Sequence, residues 1–115
     1  MKKPKKTIYQ NQKEIHDYIV NKIKDNYLKN ISEAVLIGSL TEGKFGKYEK
    51  KFEGYNGSDI DLVVISEKID KKWKYLGEFY DWHSKYLAGV IKIKEVSHPI
   101  SLMVPLKNSF EDLFI

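Results

Sequence analysis

Between about Gln10 and Leu28 the apolar residues fall at Ile15, Tyr18, Ile19, Ile23 and Tyr27. Steps of three and four place them on one stripe of an α-helix, with Lys and Asp on the other side. Asn30 and Ser32 break the pattern, and Ala34–Ile37 is a short continuous apolar run of the kind a buried strand shows. Gly38-Ser39 closes that strand, and 40–43 read as the first turn of a short helix. Residues 44–58 carry Gly46, Gly54 and Gly57 among many charges, with Phe45, Tyr48, Phe52 and Tyr55 interleaved. Glycine and asparagine mark turns, so this stretch predicts a long exposed loop.

Asp59–Ser66 reads as the second strand. From Asp70 to Leu87, Trp73, Leu76, Phe79, Tyr80, Trp82, Tyr86 and Leu87 recur at helical spacing and predict a helix with a broad aromatic face on the core. Gly77 weakens that helix. Leu87–Val96 alternates, Ile91 and Ile93 against Lys92 and Lys94. After the turn-like Ser97-His98-Pro99, a fourth strand spans Ile100–Val104, with Ile100, Leu102 and Val104 inward. Ser109–Ile115 is a short amphipathic tail whose Phe110, Leu113 and Phe114 are expected to dock on the body.

Composition narrows the class. The 115 residues suit one domain, 1–115, with 42% apolar and 13% aromatic residues to build a core. There is no cysteine, so disulfides and thiolate metal sites are excluded, which fits a reducing, cytoplasmic setting. No apolar run approaches a membrane span, and the basic start lacks the apolar stretch of a signal peptide. The net charge of +4 comes entirely from Lys2, Lys3, Lys5 and Lys6; without them 16 basic residues face 16 acidic ones. Residues 1–7 therefore read as a flexible basic tail on a neutral body, which disfavours a nucleic-acid partner. All 20 basic residues are lysine, so any phosphate must be met by lysine or by backbone N–H groups, without arginine's bidentate clamp.

The chemistry concentrates in VLIGSLTEGKFGKYEKKFEGYNGSDIDLVVIS, residues 35–66. Residues two apart in a strand share a face, so Asp59 and Asp61 project together while Ile60, Leu62 and Val64 point the other way. Two adjacent carboxylates repel, and a strand disfavours Asp. The pair is tolerable when both hold a hard cation such as Mg²⁺. A glycine turn lets a phosphate approach the backbone closely, and the Ser39 hydroxyl can donate to it.

Gly38-Ser39, a loop, then Gly57-Ser58-Asp59-Ile60-Asp61-Leu62 resembles the signature of the nucleotidyltransferase superfamily that includes DNA polymerase beta. The chain's size is similar to that of the minimal nucleotidyltransferases, often the antitoxin half of a two-gene module with a helical HEPN partner. The likeness is sharp over Val35–Val64 and looser over Ile100–Phe114, where ISLMVPLKNSF is similar to the strand–Pro–loop segment bearing the family's third acid. It implies an α+β (α/β) nucleotidyltransferase fold, a small mixed sheet of about four strands flanked by helices. It further implies Mg²⁺- or Mn²⁺-dependent transfer of a nucleoside monophosphate from an NTP, ATP favoured, to a hydroxyl acceptor with release of pyrophosphate. Asp59 and Asp61 would be the catalytic metal ligands, and Gly38, Ser39 and Ser58 would bind the nucleotide.

Two departures stand out. The 19 residues from Leu40 to Ser58 make a longer spacer than the family's usual one. The third carboxylate's place is taken by Ser101, a poor metal ligand and no base at neutral pH. Glu95 is the nearest candidate replacement, yet it shares a strand face with Ile91 and Ile93. A second reading therefore stands beside the enzyme: a catalytically weak or inactive binding module, such as an antitoxin meeting a HEPN-type partner or another copy of itself.

Overall fold

Ile15, Ile19 and Ile23, one helical turn apart, form the buried stripe of α1 (Gln12–Asn26), and this stripe decides where the sheet must lie. The computed structural model describes residues 3–27, 31–66, 68–79 and 82–106. Before α1 comes a short strand, β1 (Lys6–Ile8). After it come β2 (Ile31–Ile37), β3 (Gly46–Phe52), β4 (Tyr55–Gly57) and β5 (Ile60–Ser66). A hairpin of β6 (Lys74–Phe79) and β7 (His83–Ile93) follows, then β8 (Val96–Pro105).

The strands form two sheets. The larger has the order β2-β5-β8-β7-β6, and the smaller has β1-β3-β4. Within the larger sheet only β5 and β8 run parallel; the other neighbours are antiparallel. Alternation on β5 sends Ile60, Leu62 and Val64 towards α1, where they join Ile91, Ile93, Ile100 and Leu102 in one core. Asp61, Val63 and Ile65 face the opposite side. The core thus fixes which face carries the carboxylates: shifting β5 by one residue would bury them.

This architecture corrects the expected fold class. The chain is mainly β, with one helix among the described residues, and it is not a four-stranded sheet flanked by helices. The expected helix over 70–87 is instead the β6–β7 hairpin. Its aromatics pair across strands, with Tyr86 against Tyr75 at 5.4 Å and against Trp73 at 6.0 Å between ring centres. The expected long loop over 44–58 holds β3 and β4, with Phe45 and Tyr48 buried. Residues 40–43 form turns closed by Thr41 and Glu42 N–H donating to the Gly38 carbonyl, and no helix. The tail residues Phe110, Leu113 and Phe114 lie outside the described residues. No helix among the described residues is long and apolar enough to cross a membrane.

The small sheet is fastened to the large one through His98 on β8. The His98 ring stacks on Phe45 at 4.3 Å, and its Nδ1–H donates to the Ser58 carbonyl at 2.8 Å. The other nitrogen, Nε2, then accepts from the Tyr9 hydroxyl at 3.0 Å, which fixes a neutral tautomer. Burial lowers the His98 pKa and favours that same neutral form. Gln12 at the start of α1 adds a clasp, accepting from Phe45 N–H and donating to Phe45 and Tyr9 carbonyls.

Gly57 sits at this junction with no room for a side chain. A Cβ there would press on the His98 ring and lie 2.5 Å from the Ser97 carbonyl oxygen. Gly57→Ala is accordingly expected to cost about 2–4 kcal/mol, since neither backbone nor a stacked ring can yield cheaply. Urea unfolding would show it as a lower midpoint at unchanged slope. An unchanged midpoint would mean the two sheets are not docked through His98.

Candidate functional site

The site grows out of the end of β2. Ile37 pairs with Asp61 across the sheet, so the next residue, Gly38, arrives beside the Asp61 side chain. Gly38 holds φ at +82°, the left-handed region that glycine enters without strain. A Cβ at Gly38 would lie 2.8 Å from Asp61 Oδ2, so only glycine lets the backbone turn over that carboxylate. Thr41 secures the turn by donating its hydroxyl to the Gly38 carbonyl at 2.8 Å.

Gly38, Ser39, Asp59 and Asp61 line one cavity of about 300 Å³. Lys3, Lys6, Lys44, Glu42 and Tyr48 complete its wall. Both aspartates are half-buried. Burial, first of all, pushes the Asp61 carboxyl up to about 6, and the neighbouring Asp59 charge adds to this. Asp59 is raised too, again chiefly by burial. Lys85 and Lys3 act in the opposite sense on both. The Tyr48 hydroxyl is pushed up by burial and then by the two carboxylates. The cavity thus sets two carboxylates with raised pKa values among lysines.

That arrangement fits a divalent cation that arrives with its own ligands. Among the described residues no group of three or more His, Asp or Glu is placed to hold a metal. Mg²⁺, however, keeps several waters and is commonly bound through one or two carboxylates plus substrate phosphates. The Asp59–Asp61 pair, raised in pKa chiefly by burial, could supply that minimal protein share.

Of the residues singled out in the sequence, Gly38, Ser39, Asp59 and Asp61 come together. Ser58 does not line the cavity. It is buried, its hydroxyl donating to the Gly46 carbonyl and accepting from Gly46 N–H, both at 3.0 Å. Ser101 is buried on β8 in register with Asp61 on the parallel neighbour β5, so the two side chains share a face. Glu95 lies in the tight β7–β8 turn at φ +68°, beside a different cavity lined by Lys47, Lys51 and Asn56. It does not stand in for the third acid.

The lysines are not legible in the sequence pattern: Lys3 and Lys6 read as a solvated tail, yet β1 pairs Lys6 with Tyr48 of β3 and brings both lysines to the cavity. The available signal was Thr7-Ile8-Tyr9, a β-branched and aromatic run directly after the charges. Burial and the nearby Lys3 lower the Lys6 pKa, so an anion at this position would relieve Lys6 as much as it satisfies Lys3. No family model matches this chain, and no curated protein or solved structure matches it.

Proposed function

We propose that this cavity binds a nucleoside triphosphate with Mg²⁺ or Mn²⁺, ATP favoured, and that the chain transfers the nucleoside monophosphate to a hydroxyl acceptor, releasing pyrophosphate. One observation carries the reading: Gly38-Ser39 and Asp59/Asp61, 20 residues apart in the chain, line a single polar cavity together with Lys3, Lys6 and Lys44. The proposal rests on these residues and on their resemblance to the nucleotidyltransferase signature. It takes nothing from the helix-flanked architecture, which the chain does not have.

Each residue then has a part. Asp59 and Asp61 hold the cation, which when bound neutralises charge on the phosphate oxygens and polarises phosphorus. The Gly38 backbone admits a phosphate close to the chain, and the Ser39 hydroxyl donates to it. Lys3, Lys6 and Lys44 offset the charge of the triphosphate and of the departing pyrophosphate. The position in register with Asp61 on the neighbouring strand holds the Ser101 hydroxyl and not a carboxylate, so that position supplies no base for the acceptor's proton.

That last feature favours a second reading, a module that binds nucleotide or a HEPN-type protein partner without turnover. Calorimetric titration of ATP with Mg²⁺, and again with EDTA, tests the shared premise. Binding is expected only with the metal and only with Asp59 and Asp61 intact. Absence of binding in every condition would remove the nucleotide reading and leave the partner-binding module. Binding without pyrophosphate release for any hydroxyl acceptor would favour the silent module over the enzyme.

A further inference from the structure

A second cavity, of about 400 Å³, adjoins the first, and Asp59 is the residue common to both walls. Its character differs. Where the first is walled by lysines, carboxylates and a glycine turn, the second sets Tyr55, Leu76, Leu87 and Pro99 among the charged Glu53, Lys74, Lys85 and Asp59, with Ser101. Leu76 is 40% exposed at the irregularity in the β6–β7 pairing, an apolar side chain left open on the cavity's edge.

Strand register aligns the two cavities. Ile37, Asp61, Ser101, Leu87 and Lys74 are successive in-register partners across β2, β5, β8, β7 and β6. Asp61 and Leu87 are therefore two strand spacings apart, roughly 10 Å. A ligand bound by its phosphates at Asp61 and Gly38 would need about that reach to lay its remaining body on Leu87.

We propose that the second cavity seats the nucleoside of the nucleotide whose phosphates occupy the first, with Leu76, Leu87, Tyr55 and Pro99 as the apolar walls that hold base and sugar. This rests on reading the lysine-lined cavity as the phosphate site. A nucleoside is amphipathic and planar at one end, and no aliphatic Leu, Ile, Val or Pro side chain lines the first cavity. The second has such side chains, and Asp59, which the two cavities share, marks the side where sugar would meet phosphate. Small ligands are held in this manner, by apolar walls with a few convergent polar groups.

The test compares Mg²⁺–ATP with inorganic tripolyphosphate, titrated calorimetrically into the wild-type chain and into Leu76→Gln/Leu87→Gln. Wild type is expected to bind ATP at least about 10-fold more tightly than tripolyphosphate, because the apolar walls contribute only to the former. The double variant should lose that advantage and keep its tripolyphosphate affinity within about twofold. Leu76→Gln alone, at an exposed edge position, gives the same comparison if the double variant unfolds, with part of the effect. Equal affinity of wild type for both ligands would overturn the nucleoside seat and leave the phosphate site standing. So would an ATP preference that survives the substitutions, or a loss shared equally by both ligands. Binding of neither ligand to wild type would bring down the phosphate site and this proposal together.

Discussion

Replacing Asp61 with asparagine is expected to make the metal-free protein more heat-stable at pH 7 while removing the Mg²⁺-dependent nucleotide affinity proposed for it. The two effects share one cause. Burial and the Asp59 charge hold the Asp61 carboxyl at about 6 in the folded chain, against an ordinary value of 3.8. Between those pH values the folded protein keeps a proton that the unfolded chain has shed. The stability this group contributes is therefore full below about pH 4 and is lost as pH rises through about 6. At pH 7 the ionised carboxylate costs on the order of 2 kcal/mol, which asparagine does not incur. For a chain of this size that corresponds to a gain in Tm of roughly 5 °C or more.

Melting both proteins from pH 7 to pH 5 isolates the effect. His98 and His83, whose pKa values burial lowers, act in the opposite sense as pH falls through about 6.5, but they do so in both proteins. The difference in Tm between variant and wild type should shrink on acidification, as wild-type Asp61 takes up its proton. Adding Mg²⁺–ATP should raise the wild-type Tm and leave the variant unmoved. A variant that melts lower than wild type at pH 7 would make Asp61 a stabilising partner of Lys85 and Lys3, and the strained-carboxylate account would fail. Active sites commonly carry such a stability cost, since the unfavourable charge is what the ligand relieves.

What could be read from the sequence followed the strength of the local pattern. Ile15, Ile19 and Ile23 announced α1, and the alternation of Ile60, Leu62 and Val64 against Asp61 gave β5 and its facing correctly. Strands over 34–37, 87–96 and 100–104 were visible too; pairing starts the first at Ile31, sets the second at His83–Ile93 and stretches the last to Val96–Pro105. The β6–β7 hairpin was misread because Trp73, Leu76, Phe79 and Tyr86 fit helical spacing by chance. Composition argued otherwise: aromatic residues favour strands, and Gly77, at φ +120°, is unsuited to a helix. The β3–β4 hairpin was hidden by charge. Its strands bury few side chains, and only Phe45, Tyr48 and the flanking glycines record the packing. The aspartates and Gly38-Ser39 were legible because they stand out as residue types at a set spacing, and the fold brings them to one cavity. The lysines were not, since Lys3 and Lys6 reach the site through a three-residue strand whose partner lies about 40 residues further along the chain.

Ser101→Asp is expected to raise the affinity for Mn²⁺ at least about tenfold while lowering the stability of the metal-free protein. Register supplies the argument, because β5 and β8 are parallel and pair Asp61 with Ser101 directly, so a carboxylate at 101 would stand beside the existing two on the same face. Three carboxylates in a half-buried site repel strongly without a cation. Ser101 is 3% exposed, so the new charge has little access to water. Lys85, which already favours the ionised form of both aspartates, offsets part of that cost. Melting without metal should show a Tm several degrees below wild type, and Mn²⁺ should raise the variant's Tm by more than it raises that of wild type. Calorimetric titration of Mn²⁺ gives the affinity independently of the fold's stability. If affinity does not change, the residue beside Asp61 does not face the cavity, and serine at 101 has no bearing on whether this chain turns over. If affinity rises and pyrophosphate release from ATP rises with it, the serine alone accounts for the difference between a binding module and an enzyme.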